Sequence, residues 1–481
     1  MLKRIFNPWN LIINNCRIFG RNERKLFQVE IVNNKIEKIR LLRKPLAKKI
    51  TNNNILDLAG SMLYPGFNDS HTHFMWMGLK LISLNFEGTV SAEDVYSRLK
   101  EYIKKVPPGS AIIGEGYDET KWKAEGNILK SELDKISPKN PVILRRVCGH
   151  KGIANTEALK RIPSTWKIVN RDSGELFEDA VLYIRKLFPP TEDELDSGLK
   201  EAIKLAKKEG VTSITDVVNR DYFKTYQRYF AKNKNPEIRV SLYFTYENIN
   251  EIISTGLEAG FGNEYMKVRG IKLFTDGSIG AYTAAINQNF LGKKTNGVLI
   301  FQTPKLKELI LKADRNNLQL MIHAIGDRAI DQVLSIFKSI DFNRELRHRL
   351  EHIELISDRQ IIEMKKLDLI ASMQPNFVGE WSHPDEMYSQ RLPLEYFMRN
   401  NNFAKVIKAG LPLALGSDCM PFGPWYGIES AVNHPIIGSE ISFRQAVKAY
   451  TEGSAFAEHE EKNKGKIKEG YLADLIYKCD S

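Results

Sequence analysis

The sequence predicts an α/β protein: a (β/α)8 TIM-type barrel, an α/β insertion after its first strand, and a small β-sandwich domain built from both termini. Three observations predict it. Eight short apolar runs recur through the middle of the chain, each followed by a helical stretch. Their C-terminal ends fall mostly about 25 to 50 residues apart, the rhythm of βα units in a parallel barrel. Both ends of the chain are instead rich in β-branched residues punctuated by Asn and Gly.

At the N-terminus, NLIINNCRIF, LFQVEIVNN and KIEKIRLL read as strands joined by turns, and the C-terminal KGKIKEGYLADLIYK has the same character. Residues 1–58 and 456–481 are therefore assigned to the β-sandwich domain, and residues 59–78 and 205–455 to the barrel. Barrel strands are expected at SMLYPGF (61–67), TSITDVV (212–218), RVSLYF (239–244), GIKLFTD (270–276), LQLMIHA (318–324), RLEHIEL (349–355), LIASMQP (369–375) and PLALGSD (412–418). Such nearly continuous apolar runs suit strands buried on both faces. The stretch between the first and second strands breaks the rhythm. It holds SAIIGEGYDETKW and PVILRRVCGHKGIANTEAL, strand-like runs with helices between, so residues 79–204 read as an α/β insertion. The alternative places these runs in the barrel itself.

Composition narrows the class. Hydrophobic residues at 42% and charged residues at 27% exclude global disorder. No apolar run reaches the roughly 18 residues of a membrane helix. Asn7, Pro8 and Asn10 interrupt the start, which reads as a strand rather than a signal peptide, and a cytoplasmic protein without membrane partners is expected. Cys16, Cys148, Cys419 and Cys479 form no CxxC pair, against a disulfide framework or a thiolate zinc site. Cys419 reads as a packing thiol. The net charge of +11 raises the question of nucleic acid. The richest basic stretch, Arg40 to Lys49, has no interleaved aromatics and reads as solvated surface, so no nucleic-acid partner is expected. An exposed edge in the β-domain would suit a homodimer.

The residues that carry chemistry stand at strand ends. His71 and His73 are two apart in PGFNDSHTHF, so on a strand both imidazoles share a face and can point at one ion. Alone, an HxH pair is weak evidence. Lys272 is embedded in the apolar run GIKLFTD, where an ammonium is costly unless paired or modified. Either it pairs with a carboxylate such as Asp276 or Asp216, or it reacts with CO2 to a carbamate whose two oxygens bridge two metals. His323 and His352 belong to consecutive strands, and His is the commonest ligand for zinc-type ions. Asp418 ends an apolar strand ahead of a Gly/Pro-rich loop, either as a turn residue or as a ligand that also carries a proton. Each is ambiguous alone, but together they occupy a consistent frame on strands one, four, five, six and eight.

In the order and spacing of PGFNDSHTHF, GEGYDETKW, GHKGIANTEAL, GVTSITDV, KLFTDGSIGAYTAA, IHAIGDRAID, EHIELI, SMQPNF, GSDCMPFGPWYGIESAV and GKIKEGYLADLI, nearly the whole chain resembles the amidohydrolase superfamily. It looks most like amidohydrolase family 3, the branch that includes N-substituted formamide deformylase. The resemblance implies a metal-dependent hydrolase acting on a small-molecule substrate with a C–N bond, of amide, N-formyl or related type. It implies that His71, His73 and Asp418 bind one divalent ion, that His323 and His352 bind a second, and that carbamylated Lys272 bridges both. Zinc leads among the metals, with manganese, iron and cobalt also suited to these donors. A hydroxide clamped between ions about 3.5–4 Å apart would attack the carbonyl. Asp418 would shuttle its proton to the leaving nitrogen, and His150 would face the oxyanion. Asp276 and Arg328 would shape the pocket. The aromatics Trp76, Trp122, Phe377, Trp381, Phe422 and Trp425 either line an apolar pocket or simply pack. A mononuclear deaminase-type hydrolase is the alternative, with His71, His73, His323 and Asp418 as ligands. A non-catalytic scaffold is the remaining one, disfavoured because every ligand position is filled.

Overall fold

Eight parallel strands dominate this computed structural model, which describes residues 2–47, 54–122, 126–147, 151–166, 169–177, 179–182 and 184–478. They are β1 Phe67–Thr72, β2 Val211–Val218, β3 Arg239–Thr245, β4 Met266–Phe274, β5 Gln319–Ala324, β6 Arg349–His352, β7 Ile370–Met373 and β8 Leu413–Leu415. Each pairs parallel with the next, in chain order. Every residue of β1, β2, β5, β6, β7 and β8 is buried, because one face fills the barrel interior and the other meets helices. Helices follow the strands, and polar loop residues cap some of them. Asn219, directly after β2, accepts the Asp221 and Tyr222 amides to start helix Arg220–Lys232. Ser357 and Gln360 form a reciprocal capping box on helix Asp358–Lys366.

The seam between β8 and β1 nearly closes the barrel. The Asp418 amide donates to the His71 carbonyl at 2.8 Å, and the Ser417 amide donates to Asp69 Oδ1 at 2.9 Å. A Cβ at Gly416 would stand 2.5 Å from the His71 backbone nitrogen, so only glycine lets the two strands approach this closely.

The expected strand 61–67 proves to be two. Met62–Pro65 pairs parallel to Asn10–Ile18 and antiparallel to Leu475–Lys478, while the barrel strand begins at Phe67. Met62–Pro65 alternates partly buried and buried residues, and the fully buried barrel strand reads FNDSHT, so the apolar run marks the first piece rather than the second. His71 therefore lies within β1 rather than after it. Met62–Pro65 joins Leu2–Ile5, Asn10–Ile18, Leu26–Val32, Lys35–Leu42, Ile55–Asp57 and Leu475–Lys478 in one seven-stranded sheet drawn from both ends of the chain. Ile13, Cys16, Val29, Ile36, Leu63 and Leu475 fill its core.

The chain divides into two compact units, residues 1–77 with 202–481, and residues 78–201. The second unit has its own five-stranded sheet, ordered Glu175–Phe177, Lys151–Ala154, Val142–Arg146, Ile112–Tyr117 and Leu84–Asn85. None of these strands joins the barrel ladder, which corrects the alternative that placed the two runs there. Their pairing is mixed, parallel among the last three and antiparallel at the other end. Among the described residues no helix is long and apolar enough to cross a membrane.

Candidate metal centre

The barrel's C-terminal ends bring together His71, His73, Lys272, His323, His352 and Asp418. His71 is fully buried, and its Nδ1 donates to Glu351 Oε2 at 2.6 Å. That bond fixes the tautomer and leaves a lone pair on Nε2. Nε2 lies 3.3 Å from Lys272 Nζ and 3.6 Å from Asp418 Oδ1, and His73 Nε2 lies 3.4 Å from the same Asp418 oxygen. The rings of His71 and His352 are 4.8 Å apart, and those of His352 and His323 are 4.5 Å apart. His323 Nε2 donates to the Gly277 carbonyl at 3.0 Å, which leaves Nδ1 with its lone pair.

Two features of this geometry favour a cation. Asp418 Oδ1 and His352 Nδ1 are both buried without a hydrogen-bond partner among the described residues, a costly condition unless something positive sits between them. One ligand atom from each of His71, His352 and Asp418 can also lie within 4.8 Å of the others. The electrostatics agree. Burial, reinforced by Lys272, holds His71 well below the usual imidazole range and His73 at about 3. Burial and His323 hold His352 low as well. Neutral imidazoles keep the lone pairs that ligands require. Burial pushes Asp418 up to about 7, with Lys272 pulling the other way.

Lys272 lacks both of the carboxylate partners named for it. It is completely buried, and burial lowers its amine to about 8 against the pull of Glu351 and Asp418. Neither carboxylate expected to pair with it does so. Asp276 accepts the amides of Ala285, Ile325 and Gly326. Asp216 accepts the amides of Phe74 and Met75 and the Tyr226 hydroxyl. The ammonium nitrogen instead contacts His71 Nε2 and stands 4.9 Å over the Phe274 ring.

The backbone carries strain at the same places. His352, Ile353, Asp418 and Cys419 have φ of 68°, 42°, 52° and 59°. Left-handed conformations cost non-glycine residues on the order of 1–3 kcal/mol each and concentrate at functional sites. The β-branched Ile353 is the most demanding of the four.

Asp276 Oδ1 stands 3.4 Å from His323 Nε2 and ties the loop after β4 to the loop after β5, while the other expected site residues fall elsewhere. Arg328 donates to the carbonyls of Asn296 and Gly297 and so clamps a loop. Trp122 packs within the insertion's core beside Tyr117. His150 lies outside the described residues, as do Cys148 and Cys479. Among the aromatics, Phe377 and Trp381 line a cavity of about 310 Å³ together with His323, His352 and Asp418. Trp425 packs against Tyr64 and Phe67, Phe422 packs against Phe74, and Trp76 is partly exposed.

Five supporting residues escaped sequence reasoning: Glu351, Arg349, Asp69, Asp216 as a backbone clamp, and Glu354. Arg349 is fully buried and brackets Glu351 with bonds of 2.5 and 3.1 Å, while also donating to Ser70 O and the Ser372 hydroxyl. A charged residue within an apolar run was the available signal, as it was for Lys272.

The sequence profile of the amidohydrolase family matches residues 54–477. A putative amidohydrolase, YtcJ, of Bacillus subtilis (strain 168) is 29% identical over 456 residues, covering 87% of this chain and 84% of that one. The N-substituted formamide deformylase of Arthrobacter pascens is 24% identical over 464 residues, covering 88% and 84%. The crystal structure of an uncharacterized metal-dependent hydrolase from Pyrococcus horikoshii OT3 superposes with a TM-score of 0.82 at 27% identity, covering 100% of this chain and 98% of that one.

Proposed function

The chain belongs to the amidohydrolase family and is a metal-dependent hydrolase, and from that premise we propose that it cleaves a non-peptide C–N bond with two divalent ions held at the barrel mouth. One observation carries the two-ion reading. Lys272 is fully buried against His71, and among the described residues no carboxylate bonds to it. A buried amine so placed is a nucleophile for CO2. The ammonium first gives up one proton to solvent, the neutral nitrogen then bonds the carbon of CO2 and a second proton leaves, so that a carbamate anion replaces a costly cation. His71, His73 and Asp418 would hold one ion, His323 and His352 the other, with the Lys272 carbamate shared. This nitrogen and oxygen donor set suits zinc, and also manganese, iron or cobalt.

Bound divalent ions supply Lewis acidity to a carbonyl and lower the pKa of water. The chain's own residues supply the rest. Glu351, braced by Arg349, orients the His71 ring. Gly277 O orients His323. Asp418, at the cavity edge, accepts a proton from the attacking water and returns it to the departing nitrogen. Phe377 and Trp381 exclude bulk water beside these groups. The relationship to an N-substituted formamide deformylase supports an amide or N-formyl bond as the target.

A single-ion, deaminase-type reading has one observation in its favour: one ligand atom from each of His71, His352 and Asp418 lies within 4.8 Å of the others. Metal content separates the two. The native protein is expected to carry two transition-metal ions per chain and a Lys272→Ala variant one or none. N-formyl and amide hydrolysis should fall by at least about a hundredfold in the variant, the scale of losing a positioned electrostatic group. One ion in both proteins would overturn the bridged site.

A further inference from the structure

The cavity at the metal centre is largely apolar, with two polar regions besides Ser278 and Tyr388. Ile279, Ile325, Phe377, Trp381, Met387 and Met420 form its walls. The Phe377 ring stacks on His352 with 5° between planes, so the apolar wall begins at a metal-binding residue. One polar region is the cluster of His323, His352 and Asp418. The other is Glu354, which is 2% exposed and lines the same cavity.

Glu354 is held asymmetrically. The Tyr388 hydroxyl and Asn401 Nδ2 both donate to Oε2, and the Asn401 amide donates to the Glu354 carbonyl. Oε1 receives no hydrogen bond from the described residues, and Glu354 lines the cavity. An acceptor enclosed by apolar walls is costly until a donor meets it. Tyr388 cannot serve, because its hydroxyl is already committed to Oε2.

Size sets the rest of the occupant. A cavity of roughly 150 Å³ accommodates a benzene ring, and this one measures about 310 Å³. It has room for an aryl-sized group together with the bond to be cleaved.

We infer that Glu354 Oε1 selects the substrate: an amide whose aryl-sized apolar group carries one hydrogen-bond donor, an amine or N–H, directed away from the scissile bond. This rests on the hydrolase reading of the metal centre. A site built around such an acceptor discriminates strongly against analogues that lack the donor, because its carboxyl oxygen is then buried unpaired.

The test is calorimetric titration of the metal-loaded full-length protein with phenylacetamide, 3-aminophenylacetamide and 4-aminophenylacetamide. The wild type should bind one aminophenyl compound roughly threefold to tenfold tighter than phenylacetamide, the scale of one net hydrogen bond. In Glu354→Gln the side-chain oxygen stays with the two donors at the Oε2 position and an NH2 faces the cavity. The preference should vanish while phenylacetamide affinity holds. Tyr388→Phe leaves Oε1 in place and should keep the preference. Equal binding of all three compounds by the wild type, or no binding of any, overturns the assignment whether or not the variants fold. So does an equal loss for all three in Glu354→Gln, or a preference lost in Tyr388→Phe but kept in Glu354→Gln. If the preference holds and none of the amides is hydrolysed, Glu354 stands and the amide-hydrolase reading falls. If the amides are hydrolysed without the preference, the hydrolase reading stands and the role of Glu354 falls.

Discussion

Glu351 stands between His71 and Arg349 with all three side chains fully buried. Its carboxylate does two things at once: it fixes the His71 tautomer, and it neutralises a guanidinium that has no route to water. Glu351→Gln keeps the volume and removes the charge. Metal affinity should drop about 10–100-fold, as for other partners of metal-binding histidines, read by competition against a chelator. Stability should fall by about 3–5 kcal/mol because Arg349 loses its counter-charge, read by denaturant unfolding. Unchanged metal affinity with reduced stability would restrict Glu351 to a structural role. None of this was visible in the chain, since Glu351 and His71 are 280 residues apart. The first of the two carboxylates in RLEHIEL looks like any other until β1 and β6 face the same interior.

At the scale of elements, the strand ends do the positioning. His352 closes β6 in a left-handed conformation, and Asp418 does the same just after β8. The β8–β1 seam depends on Gly416, whose missing side chain lets the Asp418 amide reach the His71 carbonyl. Gly416→Ala would press a methyl group against the His71 backbone and Asp69. Overpacking of this kind costs about 1–3 kcal/mol. The larger effect should be on turnover, since shifting a metal-site residue by about 1 Å can cost on the order of a hundredfold. Steady-state kinetics on N-formyl substrates and a thermal melt would check both. A variant with normal kcat would show that the seam is not what sets His71. The helix N-termini, by contrast, were readable from local signals, because Asn219 and Ser357 act within their own turn.

At the scale of the barrel unit, residues 458–474 strap the C-terminal segment to the lower ends of the strands. Glu458 accepts from Asn68 of β1 and Thr215 of β2 and pairs with Lys464. Arg239 of β3 is bound to Asp474 at 2.6 and 3.1 Å. Glu460 binds Lys267 and Arg269 of β4. Burial alone would raise the Glu460 carboxyl, but Lys267, Lys464, Asn463 and Arg269 together hold it at about 2, below its ordinary value of 4.5. A folded-state pKa below the unfolded one stabilises above the unfolded value, and the contribution fades as pH falls from about 4.5 to about 2. That window is worth about 3 kcal/mol at neutral pH. Glu460→Gln should melt lower than wild type at pH 7, and the gap should close by about pH 2. A constant gap across that range would mean that the charge is not the source of the stabilisation.

The histidines, Lys272 and Asp418 were legible because metal chemistry needs rare residue types at strand ends, and strand ends follow from local hydrophobicity and turn residues. Seven of the eight barrel strands were legible for the same reason, since burial on both faces leaves nearly continuous apolar runs; the first, FNDSHT, is polar and was placed too early. The division of SMLYPGF between two sheets was not, because the apolar run marks only the first piece. Nor were the partners of Lys272. Asp216 and Asp276 looked like counter-ions in the chain, and only folding showed both spent on backbone amides. The cavity beside them has the same origin. Its walls come from loops after four different strands, and the free oxygen of Glu354 exists only because Tyr388 and Asn401 arrive on its other side. Local composition specifies which groups can do chemistry. Which of them are left unsatisfied, and so available to a metal or a substrate, is set by contacts between distant segments.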